Sequence, residues 1–354
     1  MSAGHVAVAA LRGKRILVTG ATGFIGQHLV RRLLATEARH IRVLARSKPR
    51  VKQVFGPGDR VRLEVVAGDL GLRGDLEPLC EEIDVIFHAA GLVPDRPGVT
   101  HAAPLFTRVN VEGTVRLAQA AARSGVARFV HVSSTAAMGM QTERVVDEAT
   151  ACCPLSPYER SKRKAELRLL ELSQAGRLEV VVLRPSLVSG EGQRGGRLLK
   201  LFKLCRRGWF PIIGKHLDVE KPLLGVHDLV QALILAVAQG RPGEIYLLHS
   251  EGHHTLRQIV ETAGRIVGND RPYRHIPFPL AYLAVGAVAP LAFLAGRTPP
   301  VTAPQVSQFF FDRRIDTTKA RTELGFRPRQ QSLDDMLGGT YEYYLRSGQL
   351  GDRD

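Results

Sequence analysis

The sequence predicts an α/β protein: a doubly wound parallel sheet followed in the chain by a smaller, mostly helical cap. Three observations carry that prediction. Over the first 190 residues, short runs rich in Val, Ile, Leu and Phe alternate with helix-length segments. The runs are continuous in their apolar character, as in parallel strands covered by helices on both faces. After Gly190 the alternation ends, and Gly- and Arg-rich sequence takes over.

The strand candidates are Arg15–Thr19, Ile41–Ala45, Val61–Ala67, Val85–His88, Phe129–Ser133 and Val180–Arg184. Helical apolar periodicity spans Gln27–Ala35, Val111–Arg123 and Tyr158–Gln174. This alternation is the pattern of repeated βαβ units. Beyond Gly190 come a basic amphipathic stretch, Arg197–Arg207, and the turn Gly208-Trp209-Phe210-Pro211. A helix at Asp228–Ala238 and a strand at Ile245–Leu248 read as a return to the sheet. From His253 onward the chain reads as helices and loops, ending with Leu333–Tyr344. The expected organisation is a sheet domain over residues 12–190, rejoined at about 225–250, with a cap made of 191–224 and 251–350. No internal repeat is visible.

With 354 residues and 44% hydrophobic content, the chain can bury a large core without disulfides. Cys80, Cys152, Cys153 and Cys205 have no metal-ligand spacing, so no metal site is expected, and a reducing cytoplasm is the natural location. The opening stretch, MSAGHVAVAALRGKR, has no basic region ahead of its short apolar run and reads as no secretory signal. The net charge of +15 is compatible with phosphorylated ligands, an anionic membrane surface, nucleic acid or a plain basic surface. No zinc-finger spacing or RNA-binding signature accompanies it, and aromatic residues make up 6%, so nucleic acid is excluded from the expected partners.

Immediately after the first strand stands Thr19-Gly20-Ala21-Thr22-Gly23-Phe24-Ile25-Gly26, followed by a helix. Glycines here let the backbone turn tightly and approach a pyrophosphate, while the helix N-terminus offers free N–H groups and a positive dipole end. Strand, glycine turn and helix together are the Rossmann context for Gly20, Thr22, Gly23, Phe24, Ile25 and Gly26 to hold a dinucleotide. An acid at the end of the second strand would bind the ribose of NAD. The chain instead reads Val43-Leu44-Ala45-Arg46-Ser47-Lys48. Arg46, helped by Lys48 or Arg50, suits the 2′-phosphate of NADP, so NADP(H) is expected over NAD(H). In Gly68-Asp69-Leu70, after the third strand, Asp69 is a candidate for the adenine amino group or a turn residue.

Tyr158 and Lys162 are four apart on a helix and project from one face. Ser156 as N-cap, Pro157 in the first turn and Glu159 as the capping-box partner mark where that helix starts. A free tyrosine has a pKa of about 10. A nearby ammonium and an oxidised nicotinamide would favour its phenolate, making Tyr158 a proton donor or acceptor for a carbonyl or alcohol. Ser134, at the end of the fifth strand, is placed to hydrogen-bond the same oxygen.

These landmarks resemble the extended short-chain dehydrogenase/reductase family. They are TGATGFIG (19–26), GDL (68–70), HAAG (88–91), NVEGT (110–114), SST (133–135), YERSK (158–162) and LRPS (183–186), with weaker matches at HDLVQAL (227–233) and RRIDTTKARTELGFRP (313–328). The resemblance implies catalysis by Ser134, Tyr158 and Lys162, with Asn110 supporting the lysine through a water. It also implies a cofactor lined by Asp69, Leu70, Ala89, Ala90, Gly91, Tyr158 and Lys162, with Pro185 and its neighbour Val188 bordering the nicotinamide. Two departures stand out: Ala137-Met138-Gly139 follows the serine where sugar-modifying members often read V-Y-G, and Ser189, not tyrosine, precedes Gly190.

The tail resembles the 3β-hydroxysteroid dehydrogenase and dihydroflavonol reductase-like branches. That likeness rests on Gly208–Gly214, on Lys221-Pro222-Leu223 before His227-Asp228, and on the uncharged segment Ile276–Gly296. This segment fits a buried helix pair, the wall of an apolar pocket or a membrane-surface anchor. Arg197–Arg207 reads as a solvated basic face, a membrane-surface helix or a diphosphate site. His227 reads as a turn residue and Asp228 as a helix cap. The expected enzyme interconverts a secondary alcohol and a ketone on a hydrophobic, steroid-, terpenoid- or 3-oxoacyl-like small molecule. The alternatives are a nucleotide-sugar epimerase or dehydratase and a non-catalytic dinucleotide-binding redox sensor. A homodimer and peripheral membrane contact through Arg197–Arg207 or Ile276–Gly296 are compatible with this reading.

Overall fold

The computed structural model describes residues 3–94, 103–141, 143–213, 218–252, 254–271, 273–277, 280, 283, 314–329 and 331–351. Seven strands form one parallel sheet: β1 (Arg15–Thr19), β2 (His40–Ala45), β3 (Leu63–Ala67), β4 (Val85–His88), β5 (Arg128–Val132), β6 (Glu179–Pro185) and β7 (Glu244–Leu248). Their order is β7-β6-β5-β4-β1-β2-β3. The direction of winding therefore reverses between β1 and β4, and a crevice opens beyond the carboxyl ends of those strands. Register brings Thr19, Leu44 and His88 level at that edge.

The continuous apolar runs have a direct structural cause. Ile16 and Val18 face a core shared with α1 (Phe24–Leu34) and the helix Val226–Ala238, while Leu17 faces the opposite core with Leu117, Phe129 and Val182. Both faces are buried, so strand alternation disappears from the sequence. Further helices are α2 (Thr114–Arg123), α3 (Pro157–Gln174), α4 (Gly196–Arg206), α5 (Val226–Ala238), α6 (Leu256–Val267) and α7 (Leu333–Arg346). A separate apolar cluster joins Leu198, Leu201, Phe202 and Cys205 of α4 to Ile259, Val260 and Ala263 of α6 and to Met336, Leu337 and Tyr344 of α7. The helix Ala3–Ala9 and the residue Leu11 also contribute, burying Ala7 and Leu11 in the sheet core.

Several boundaries differ from expectation. α1 begins at Phe24, not Gln27, because the glycine turn feeds the helix directly. The third strand begins at Leu63, since Pro57–Val61 forms a helical turn started by its proline. A wide π-helical turn, Thr107–Gly113, runs into α2 and carries Asn110. α5 begins at Val226 with Gly225 as its N-cap, which places His227 and Asp228 inside the first turn. Asp228 is therefore no cap, and His227 no pre-helix turn residue. The carboxylate of Asp228 is 1% exposed and accepts a bond from the Arg329 amide at 3.2 Å, and burial raises its pKa. The start of α3 matches the expected capping box: Ser156 Oγ accepts from the Glu159 amide at 3.2 Å, and Glu159 Oε2 accepts from the Ser156 amide at 2.9 Å. Of Ile276–Gly296, only residues 276, 277, 280 and 283 are described; the rest of that segment lies outside the described residues.

Candidate active site

The turn from β1 into α1 is shaped by backbone packing against backbone. Gly20 adopts φ +73°, and a β-carbon there would lie 2.6 Å from the Ala90 nitrogen and 2.7 Å from Ala89. A β-carbon on Gly26 would lie 2.1 Å from the Gly20 carbonyl oxygen, and one on Gly23 3.0 Å from the same atom. Only glycine fits at Gly20 and Gly26. Gly23 caps α1 without a side-chain acceptor, so the first-turn amides of an eleven-residue helix face the crevice. A side-chain-free cradle at a positive helix end fits a dinucleotide pyrophosphate. Thr22 and Phe24 stand half-buried around it, Ile25 packs inward on the core, and Ala89, Ala90 and Gly91 close the opposite side from the end of β4.

At the neighbouring strand ends, Arg46 is 60% exposed and its Nη1 lies 3.9 Å from Asp69 Oδ2. The two residues expected to meet different parts of an adenosine thus stand side by side. Asp69 Oδ1 accepts from the Gly71 amide at 2.8 Å, which realises the turn reading and leaves the other oxygen toward Arg46. The Leu70 side chain is in the core, and its carbonyl accepts from Arg116 at 2.6 Å. Pro185 is buried at the end of β6, and Val188 lies on the short strand Leu187–Ser189, paired with Leu223–Gly225.

On the other side of the crevice, α3 delivers Tyr158 and Lys162. Tyr158 is half-buried with its ring 5.7 Å from that of Phe106. Lys162 is 6% exposed, and its Nζ donates to the Val132 carbonyl at 3.0 Å. Burial lowers its pKa to about 8, against the opposing pull of Glu166. Ser134 caps the turn Thr135–Met138, against which α3 packs; its Oγ accepts from the Ala136 amide at 3.1 Å. Asn110 makes its bonds elsewhere than to the lysine: its Oδ1 accepts from the Leu92 amide at 2.7 Å, and its Nδ2 donates to the Leu92 carbonyl and to Ser161 Oγ, both at 3.1 Å. Lys162 and Asn110 still meet around Gly91, where a β-carbon would lie 3.4 Å from both Lys162 Nζ and Asn110 Oδ1.

Behind this wall is a charged network that the sequence reading did not single out. Glu166 is 0% exposed and accepts from Ser133 Oγ at 2.5 Å, from Arg184 Nε at 2.9 Å and from Arg184 Nη2 at 2.7 Å. Arg163 adds a bond at 3.3 Å, and Arg184 Nη2 reaches Cys152 Sγ at 3.5 Å. Each anchor neighbours a candidate: Ser133 precedes Ser134, Arg184 precedes Pro185, and Glu166 lies one turn beyond Lys162. The signals were available, since Glu166 continues the stripe of Tyr158 and Lys162, and Arg184 is a charge inside an apolar strand. Below the lysine, His88 bridges Thr19 Oγ1 at 2.6 Å and Thr114 Oγ1 at 2.8 Å, and stacks on His131 at 5.2 Å. Burial pushes His88 down to about 3 and His131 lower than usual as well, so both rings are neutral beside the ammonium. Among the described residues no group of three His, Cys, Asp or Glu could hold a metal ion, and no helix is long and apolar enough to cross a membrane.

The family model for the NAD dependent epimerase/dehydratase family matches residues 16–248. Sterol demethylase protein B of Methylococcus capsulatus is 32% identical over 88% of this chain and 93% of its own length. UDP-glucose 4-epimerase of Vibrio cholerae is 27% identical over 94% of this chain and 96% of its own. 3β-Hydroxysteroid dehydrogenase/Δ5→4-isomerase of Mycobacterium tuberculosis is 28% identical over 91% and 89%. Among solved structures, the dTDP-glucose 4,6-dehydratase of Streptomyces venezuelae, with NAD bound, superposes with a TM-score of 0.74 at 28% identity, covering 95% of this chain and 98% of its own. The Rossmann sheet, the glycine cradle and these matches agree: the chain belongs to the NAD-dependent epimerase/dehydratase family and is an enzyme.

Proposed function

We propose that the protein interconverts a secondary alcohol and a ketone on a hydrophobic small molecule, preferring NADP(H). The observation that carries the hydride-transfer chemistry is Lys162, buried with Nζ 3.0 Å from the Val132 carbonyl, one helical turn from Tyr158. The dinucleotide, when bound in the glycine cradle, supplies or accepts the hydride. The proton is the chain's own business. Tyr158 donates it to the substrate oxygen during reduction and accepts it during oxidation, and the Lys162 charge favours the phenolate. Ser134 Oγ donates a hydrogen bond to the same oxygen, while Asn110 keeps the loop at Leu92 and the helix at Ser161 in register.

The apolar substrate is supported by exposed apolar side chains on the loops that carry site residues. Val93, Met140 and Leu155 are 46%, 41% and 49% exposed, and they lie on the loops after β4, after β5 and before α3. Exposed apolar side chains on such loops suit an apolar partner. Ala137 and Met138 are buried, so these two positions of the turn offer no polar side chain to a sugar hydroxyl. The NADP preference is supported by Arg46 at the end of β2, with no acid there to bind a 2′-hydroxyl.

A nucleotide-sugar epimerase or dehydratase is the second reading, favoured by the likeness to the Vibrio cholerae epimerase; such an enzyme uses the same trio and returns the hydride to its substrate. Nicotinamide absorbance in the near ultraviolet separates the two. The protein is mixed with NADP(H) or NAD(H) and a panel of hydroxysteroids, 3-oxoacyl compounds and nucleotide sugars. Net oxidation or reduction of the cofactor with an apolar member is the expected result. Conversion of a nucleotide sugar without net change would overturn it.

A further inference from the structure

α4 divides its residues cleanly between two environments. Leu198, Leu201, Phe202 and Cys205 are buried in the cluster with α6 and α7, whereas Arg197, Lys200 and Lys203 point to solvent. The chain leaves the helix through exposed Arg207 and reaches Trp209, which is 64% exposed. The Trp209 amide donates to the Leu204 carbonyl at 2.9 Å, fixing it beside the helix end. The following strand, Phe210–Ile213, pairs in parallel with Tyr273–Ile276. Phe210 and Ile212 turn inward, 9% and 1% exposed, so Trp209 and Pro211 share the outer face. Arg274, which pairs with Pro211, is exposed on that face, and Arg271 is exposed next to Gly208.

The sequence around this surface is rich in cations and poor in acids. No Asp or Glu occurs between Glu191 and Asp218, or between Asp270 and Asp312. Among the described residues, Lys203, Arg207, Arg271 and Arg274 form no ion pair. A large, wet tryptophan inside such a patch is unusual for a surface that meets only water, since its ring has an apolar body and one polar N–H. Two further apolar side chains, Leu280 and Leu283, are 59% and 70% exposed on the chain beyond Ile276.

We propose that the outer face of this ribbon, with the cationic flank of α4, docks the enzyme on an anionic lipid bilayer. Lys203, Arg207, Arg271 and Arg274 attract the headgroups, and Trp209 inserts at the interface. Cations around an interfacial aromatic are the combination that anionic membranes bind, and charge alone would suit nucleic acid equally. The exposed tryptophan favours lipid. Docking would hold the enzyme where apolar substrates dissolve, but the inference rests on the surface alone and does not depend on the proposed substrate.

Trp209 is the single tryptophan of the chain, so its emission reports this face directly. The full-length protein is titrated with vesicles of phosphatidylglycerol and phosphatidylcholine, and separately with vesicles of phosphatidylcholine only. The expected result is a blue shift with the anionic vesicles, quenching by brominated acyl chains, co-sedimentation, and reversal by salt. Each cation near the surface contributes about fivefold in affinity, so K203E/R207E together should weaken binding by more than about twenty-five-fold. Melting temperature and turnover of a water-soluble substrate should be unchanged, which separates lost docking from lost folding. Unchanged Trp209 emission and no sedimentation with anionic vesicles would overturn the proposal. So would a shift produced by single-stranded DNA or polyglutamate and not by vesicles.

Discussion

Lys162 and Lys203 are both helical lysines set near other cations, yet their surroundings make them different chemical objects. Lys162 is 6% exposed, tied to the Val132 carbonyl, and backed by a carboxylate that is itself 0% exposed. Lys203 is exposed on α4, with no carboxylate between Glu191 and Asp218. In the buried wall every charge must have a partner, because desolvation costs several kcal/mol per ion, on the order of what a whole core side chain contributes. On the outer flank water screens each charge, so single contributions are small and only their sum is felt by a charged surface. Position within the fold, not residue type, decides whether a lysine tunes a reaction or attracts a partner.

The sharpest way to break this contrast is chemical. Tyr158→Phe removes the proposed proton carrier while keeping the ring against Phe106, and should lower kcat by about 10²–10⁴-fold with cofactor affinity nearly unchanged. Steady-state turnover beside a cofactor titration checks this, and undiminished turnover would remove Tyr158 from the mechanism. Next comes the buried pair. Glu166→Ala strands the Arg184 guanidinium, 1% exposed, without its partner, and should cost about 3–5 kcal/mol in urea unfolding. Lys203→Ala, on the flank, should change stability by no more than about 0.5 kcal/mol. Similar values for the two would erase the distinction.

Between those extremes lies a pH effect. The folded protein holds Lys162 at about 8, against 10.5 for an ordinary lysine. Between those pH values the unfolded chain binds more protons. The penalty for burying the ammonium is therefore full below pH 8 and is relieved as pH climbs toward 10.5. Its size is about 3 kcal/mol. Lys162→Met should be the more stable protein at neutral pH, and the difference between variant and parent should shrink across that window in paired urea melts. Turnover should move the opposite way, declining above about pH 8 as the ammonium that supports Tyr158 is lost. Glu166→Gln should shift that limb to lower pH, because Glu166 holds the lysine pKa up. The smallest functional effect is expected at Arg46. It is 60% exposed, and Arg46→Ala should reduce the NADP-over-NAD ratio of kcat/KM by about tenfold, the value of one solvent-accessible charge-assisted bond. An unchanged ratio would assign the arginine to Asp69 alone.

Legibility followed locality. The glycine turn, the capping box at Ser156–Glu159 and the Tyr158–Lys162 spacing are short-range patterns with short-range causes, and the structure realises each. The misplaced boundaries have local causes that compete. Pro57 starts a helical turn inside what reads as the third strand, and Gly225 caps α5 ahead of the more obvious Asp228. Asn110 was legible as a site residue through family resemblance, but not its bonds to Leu92 and Ser161, because these join segments 18 and 51 residues apart. The Ile276–Gly296 readings fall largely outside the described residues.

By itself the sequence determined the doubly wound parallel sheet, the glycine turn into α1 and the helix that carries Tyr158 and Lys162. Periodicity, turn chemistry and helix capping act over a few neighbouring residues and so are written directly in their order. The tertiary structure alone decided that Ser133, Glu166 and Arg184 form one buried network under the lysine, that Arg46 meets Asp69, and that Trp209 stands exposed close to Arg207. Those outcomes depend on which faces are dehydrated when distant strands and helices pack. Burial is a property of the assembled fold, and burial is what sets the strength of every charge in it.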